Sequence, residues 1–308
     1  IGAYDRTYVQ HTQDCKSDKT GVLQNQYEQA KGVIHKSIYL YSVEHIDTIL
    51  NADDVKRIYV DFDVFYDDKE KFHKVCRAIA DSHIELYIGL PYILEQEKHD
   101  TLCVLLDYIN EYLSKSVSGY LVRNLEETGL LAERKKQHLK DESSVCDYEI
   151  ITDAGMYVFN TYAAQELYDM SESTGLDMKA YTLPYELNST ELKSVCSDKS
   201  ELIVYGRIPS MISKQCVRKT YGVCDHKSNV TSLKQDSGKQ YEVKSVCSFC
   251  YTVTRAGAFD ISGEDIICEM HPGSIRYEFY DESEKQIQNI LNMKSDVDYK
   301  GHFYRGVN

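Results

Sequence analysis

The sequence predicts a closed (β/α)8 barrel of the TIM-barrel type with one long insertion, and three observations carry that prediction. Eight short apolar runs recur along the chain, amphipathic segments separate them, and 308 residues is a length at which such a barrel forms one domain. The runs are SIYLYSV (37–43), RIYVDF (57–62), IELYIGL (84–90), GYLVRNL (119–125), YEIITDA (148–154), MKAYTL (178–183), ELIVYGRI (201–208) and SIRYEFY (274–280). Strand followed by helix, repeated, calls for parallel pairing with a helical crossover each time. An open doubly wound sheet would give a similar string, and the count of eight favours closure.

The helical segments show their buried faces by spacing. Phe72, Val75, Cys76, Ile79 and Ala80 recur at i, i+3, i+4 and i+7, and Leu102, Leu105, Leu106, Ile109 and Leu113 do the same. Ala163, Leu167 and Met170 mark a weaker helix, and Ile287, Ile290 and Leu291 mark one near the end. Residues 1–36 are polar and lack a sustained period, so they are expected to form a linker or N-terminal arm ahead of a barrel domain at 37–308. The chain opens on Ile1 with no basic-then-apolar leader, which points to a piece of a longer protein.

Composition limits the function. A hydrophobic fraction of 42% with 27% charged residues is ordinary for a globular protein, and no run approaches the roughly 20 apolar residues of a membrane helix. A formal charge of −14 repels phosphate backbones, so direct nucleic-acid binding by this segment is disfavoured. Six of the ten cysteines are scattered singly in a chain that needs no disulfide staples, which suits a reducing cytoplasm without disulfide-linked partners. Cys76, Cys103 and Cys268 read as small core residues. The 26 tyrosines flank strands, and Tyr39, Tyr41, Tyr59 and Tyr87 are expected in the layer between sheet and helices. The sequons at Asn188 and Asn229 read as chance.

The chemistry concentrates in the insertion, about residues 210–272. Cys216, Cys224, Cys247 and Cys250 are separated by seven, twenty-two and two residues, and a C-x2-C step lets two thiolates reach one metal from a tight turn. Lys214, Arg218, Lys219 and Lys227 lie close in sequence and favour thiolates, while His226 is an alternative ligand. A zinc clip that only ties the insertion together is the plain alternative. Asp61, Asn124, Asp153, Glu186 and Arg207 fall at or after the carboxyl ends of predicted strands, where barrels bind substrates, and Arg207 and Arg276 can grip an anion. Helix capping is the competing role for the polar strand-end residues, and ion pairing with a strand-end acid is the one for Arg276. No H-E-x-x-H or G-x-S-x-G motif occurs, and Cys216 with His226 is the one imaginable nucleophile and base.

The segments ELIVYGRIPSMISKQCVRKTYGVCD, CSFCY, IRYEFYDESE and GHFYRGVN resemble the collagenase-like peptidase family (peptidase family U thirty-two) over most of residues 37–308. The family's Glu, Gly and Cys frame falls on Glu201, Gly206 and Cys216, and the Gly-Arg-x-Pro strand marks one branch. Ile203, Arg207, Pro209 and Lys214 depart from the commoner pattern. The resemblance implies the C-terminal part of a longer bacterial protein, with other domains of the parent chain as partners. It also implies one of two activities: a collagenase-like protease, or an oxygen-independent hydroxylase acting on RNA or a related aromatic substrate. In the hydroxylase relatives four cysteines hold a [4Fe-4S] cluster. Cys216 corresponds through the frame, and Cys224, Cys247 and Cys250 correspond in type and neighbourhood.

Overall fold

Each of the eight apolar runs forms a strand of one closed sheet. The computed structural model describes residues 34–80, 82–141, 148–238 and 240–305, and residues 1–33 of the expected arm lie outside them. The strands are β1 (His35–Leu40), β2 (Val55–Asp61), β3 (Glu85–Gly89), β4 (Gly119–Val122), β5 (Glu149–Thr152), β6 (Asp177–Thr182), β7 (Ser200–Gly206) and, after the insertion, β13 (Ser274–Phe279). They pair in parallel in chain order, β7 joins β13, and β13 joins β1, which closes the barrel. His35 and Lys36, assigned by sequence to the arm, instead open β1 opposite Ser274 and Ile275.

The crossover helices follow the apolar spacing. After α1 (Ile46–Leu50) and α2 (Phe62–Asp67), α3 (Lys69–Ala80) buries Phe72, Val75, Cys76 and Ile79. The large side chains among these contribute roughly 1.5–3 kcal/mol each by leaving water. α4 (His99–Tyr112) buries Leu102, Leu105, Leu106 and Ile109. α5 (Leu125–Asp141) follows β4, and α6 (Thr161–Thr174) starts where the Asn160 side chain accepts the Ala163 N–H at 2.9 Å. The buried face of α6 centres on Ala164, Leu167 and Ser171, one step round from the expected one. Asn188 caps α7 (Ser189–Val195) in a capping box with Glu191, a structural role for that sequon.

The insertion forms its own antiparallel sheet. β8 (Pro209–Ser213) leads to the short α8 (Val217–Thr220), then to β9 (Asn229–Lys234), β10 (Gln240–Val246) and β11 (Tyr251–Arg255), ordered β8-β11-β10-β9. β12 (Phe259–Asp260) returns antiparallel to β7 and leads through α9 (Ile266–Met270) to β13, and α10 (Glu284–Leu291) follows. Cys268 is exposed rather than core, because Ile267 and Met270 take the inner face of α9. Cys76 is buried as expected, whereas Cys103 is only half-buried.

The barrel interior corrects one expectation. Tyr39, Tyr59 and Tyr87 lie in register on β1, β2 and β3 and form a separate buried cluster with Leu121, Ile151 and Ala180. They fill the lumen, not the layer between sheet and helices. The Tyr59 hydroxyl reaches across to Glu201 of β7 at 3.0 Å. Such bulk leaves little room elsewhere. A Cβ on Gly119 would sit 2.0 Å from the Glu149 carbonyl oxygen, so Gly119→Ala must push β4 off β5. We expect that variant to lose about 1–3 kcal/mol in urea unfolding. Unchanged stability would show that β4 and β5 are not packed this closely.

Candidate active site at the roofed barrel mouth

Alternation along the strands sends a second set of side chains inward, and these are charged. Arg276 of β13 is fully buried and donates to Asp153 at 2.6 Å, to Glu201 at 3.2 Å and to Thr182 at 3.3 Å, and it pairs with Glu278 at 2.9 Å. Asp153 also accepts from Arg123 at 2.9 Å. Arg123 in turn donates to the Leu90 carbonyl at 2.7 Å and to the Tyr39 hydroxyl at 2.6 Å, and lies 3.7 Å from Asp61. The Tyr39 hydroxyl donates to Asp61 at 2.8 Å. Burial alone raises a carboxyl, but Arg276 and Arg123 overcome it and hold Asp153 down to about 2.

The structure therefore brings Asp61, Asp153 and Arg276 together and leaves the other three substrate-binding candidates apart. Asp61 and Asp153 also accept the N–H groups of Asp63 and Ala154, so capping and ion pairing occupy them. Asn124 caps α5 by accepting the Glu127 N–H at 3.0 Å. Glu186 is half-buried and outside this network. Arg207 sits at the rim, bonded to Glu242 at 2.5 Å and to Asp281, with Glu282 at 3.8 Å. Sequence reasoning missed Arg123, Glu278 and Arg255 as parts of the mouth. The period of two along β13 (Ser274, Arg276, Glu278) was the available signal for Glu278.

Above the ionic layer lie four tyrosines. The Tyr185 and Tyr280 hydroxyls donate to Glu278 at 3.2 and 3.0 Å, the Tyr41 and Tyr92 hydroxyls meet at 3.4 Å, and Arg123 lies 3.9 Å from the centre of the Tyr92 ring. The small sheet covers them. Phe249 packs edge-on against Phe62 with ring centres 5.0 Å apart, Ser248 donates to Asp63 at 3.2 Å, and Lys244 pairs with Asp63 at 2.9 Å. Tyr251 accepts the Tyr92 N–H at 3.1 Å. Two clefts enter beneath this roof. One of about 540 Å³ runs past Tyr41, Asp63, Val64 and Lys244, and one of about 520 Å³ runs past Arg207, Tyr205 and Arg255.

The four insertion cysteines gather at the end of the roof nearest α2. Cys216 precedes α8, just beyond the pairing of Ser213 with Thr252, which aligns its segment with the Cys247–Cys250 turn. Cys224 approaches from the other side, because Ser245 pairs with Asn229 and the Cys247 N–H donates to Ser228 at 3.2 Å. Burial and then the neighbouring Cys224, Cys216 and Cys250 thiols push the Cys247 thiol up to about 11. That crowding is the electrostatic problem a bound cation relieves. Four thiols on two adjacent turns suit a cluster or a zinc ion by donor type. The side chains are not drawn in to ligand geometry: among the described residues no set of three or more His, Cys, Asp or Glu is arranged to hold a metal. Lys214 and Arg218 are spent on Glu95 at 2.6 Å and Asp225 at 3.1 Å.

Two variants test the ionic layer. Arg276→Met leaves Asp153, Glu201 and Glu278 without their shared cation, and we expect a loss of about 3–5 kcal/mol in urea unfolding at pH 7. A loss under 1 kcal/mol would show that the acids find other partners. Glu127 lies fully buried behind Arg123, and burial raises its carboxyl to about 8. It stays protonated in the folded chain while the unfolded chain ionises, so it removes stability as pH rises from about 4.5 to about 8. Glu127→Gln should gain on the parent protein by on the order of 4 kcal/mol between those limits. Parallel pH profiles for the two proteins would contradict this.

No family model matches the chain, and no curated protein matches it. Among solved structures it is similar to the YdjI aldolase from Escherichia coli K12, at 11% identity over 92% of this chain and 88% of that chain, with a TM-score of 0.41. A likeness this distant carries no argument about chemistry, and the barrel assignment rests on the closed ring of strands itself.

Proposed function

We propose that the chain is a barrel enzyme acting at its roofed mouth, with a [4Fe-4S] cluster held by Cys216, Cys224, Cys247 and Cys250, and that it hydroxylates an RNA base or related aromatic compound with an organic hydroxyl donor that serves as oxygen source and two-electron oxidant in place of molecular oxygen. The observation that supports it most is the convergence of these thiols, from two separate segments, at one end of a sheet clamped over the mouth by Phe249, Ser248 and Lys244. When bound, a cluster supplies electron transfer at the edge of the substrate cavity. The chain's own residues bind and orient: Tyr41, Tyr92, Tyr185 and Tyr280 offer ring faces and hydroxyls, and the roof limits water. A formal charge of −14 favours a small aromatic compound over a long RNA contact.

The peptidase alternative lacks a comparable observation. His226 is exposed, with a left-handed backbone at φ 58°, and no hydrogen bond links it to Cys216. The eight cysteines among the described residues are free thiols, and no described helix is long and apolar enough to cross a membrane. Free thiols fit a reducing compartment such as the cytoplasm.

Anaerobic purification with metal and sulfide analysis tests the proposal. The expected result is a brown protein with iron and acid-labile sulfide in equal amounts, about four of each per chain. Cys247→Ser should lose both while retaining the parent's circular dichroism. Colourless protein with stoichiometric zinc would replace the enzyme by a zinc-stabilised binding module, and protein with neither metal would remove the centre altogether.

A further inference from the structure

Arg255 closes β11 and is 1% exposed. A guanidinium taken this far out of water is normally held by a carboxylate or by backbone carbonyls, since leaving its N–H groups unpaired is costly. Arg276 and Arg123, beneath it in the mouth, follow that rule. Arg255 does not. Among the described residues no carboxylate lies within ion-pair distance of it, its Nε and Nη1 have no hydrogen-bond partner, and its side-chain hydrogen bond is to Tyr41.

The nearby acids are committed elsewhere. Glu242, directly across from Arg255 on β10, turns to Arg207 at 2.5 Å, and Glu278 is held by Arg276 and the Tyr280 hydroxyl. What surrounds the guanidinium is aromatic. Its carbon lies 4.8 Å from the ring centres of both Tyr41 and Tyr280, which stack on each other at 4.1 Å. The residue also borders open space, with its Nε and Nη1 covered in the unliganded chain. Arg255 lines the 520 Å³ cleft, and Tyr41 beside it lines the 540 Å³ cleft, so the group stands at the wall between the two. The small residues Ala256, Gly257 and Ala258 continue that cleft wall, and a Cβ added at Gly257 would meet nothing within 4 Å.

We infer that Arg255 is the receptor for the carboxylate of a small organic substrate, which enters by the Arg207 cleft and lays its body against the Tyr41–Tyr280 stack. The guanidinium fork matches a planar carboxylate with two parallel hydrogen bonds, and the unpaired Nε and Nη1 are the donors left for it. A phosphate dianion fits less well, because the second cation at the cleft, Arg207, is already engaged by Glu242, Asp281 and Glu282. The inference rests on the mouth being the working site, and it does not depend on the metal.

Benzoate and inorganic phosphate serve as probes, with binding followed by calorimetry and by thermal shift on the chain as isolated. Benzoate should bind saturably and raise the melting temperature, and Arg255→Gln should weaken it by at least about tenfold. Arg255→Lys should fall between them, keeping the charge and losing the fork. Without ligand, Arg255→Gln should be at least as stable as the parent, because relief from burying a guanidinium without a carboxylate offsets the lost contacts with Tyr41 and Tyr280. Four results would overturn the inference: no benzoate binding by the parent, equal benzoate binding by Arg255→Gln, Arg255-dependent binding of phosphate more tightly than benzoate, or destabilisation of unliganded Arg255→Gln. Metal content read in the same samples separates this claim from the preceding one. Parent protein without metal that still binds benzoate through Arg255 sinks the cluster and leaves the receptor standing.

Discussion

The Arg276–Asp153 ion pair in the barrel lumen is the constraint on which the rest of this structure hangs. Barrel interiors are ordinarily filled by layers of branched aliphatic side chains. Here a line of charge runs across the lumen from Arg57 through Glu201, Arg276, Asp153 and Arg123 to Asp61. The line binds residues on or next to β2, β4, β5, β7 and β13. Apart from the half-buried Arg57, each charge has been taken out of water, so each is tolerable only while its neighbours stay in place. Tyr39 and Tyr59 complete the arrangement by donating to Asp61 and Glu201.

This saturation decides what the mouth can offer a ligand. Asp61, Asp153 and Arg276 stand where barrel enzymes place substrate-binding groups, yet most of their hydrogen-bonding capacity is used internally. The accessible chemistry moves up one layer, to the tyrosines and to Arg255, and sideways to the cysteine turn on the roof. The sheet of β8 to β11 is thus part of the proposed site. Its contacts with Phe62, Asp63 and Tyr92 set the height of the roof, and the same strands carry Arg255 and present the thiols.

Much of the fold was legible in the sequence because parallel strands with both faces buried read as short continuous apolar runs, and the helices between them keep a 3.6-residue period. The same property hid the direction of the side chains. A strand buried on both faces does not say which face meets the lumen, which is why Tyr39, Tyr59 and Tyr87 were expected outside it. The cysteines were legible by clustering, and their convergence followed from strand pairings between β8, β9, β10 and β11 that no local pattern encodes. Arg255 was not legible at all. In TVTRAG it resembles any surface arginine, and only the tertiary structure shows it buried without an acid. The capping roles of Asp61, Asn124 and Asp153 were visible as alternatives, and the structure supplies the N–H groups that they accept.

The proposed metal centre makes a spatial prediction: Cys216, Cys224, Cys247 and Cys250 would hold it on the roof, beside the mouth. Anomalous diffraction from crystals of anaerobically prepared protein, recorded at the iron and zinc edges, measures this directly. We expect iron density for four atoms at the turn, one within bonding distance of each of Cys216, Cys224, Cys247 and Cys250, with Ser248 still on Asp63 and Phe249 still on Phe62. No peak at the turn, or a turn swung away from Asp63, would contradict it.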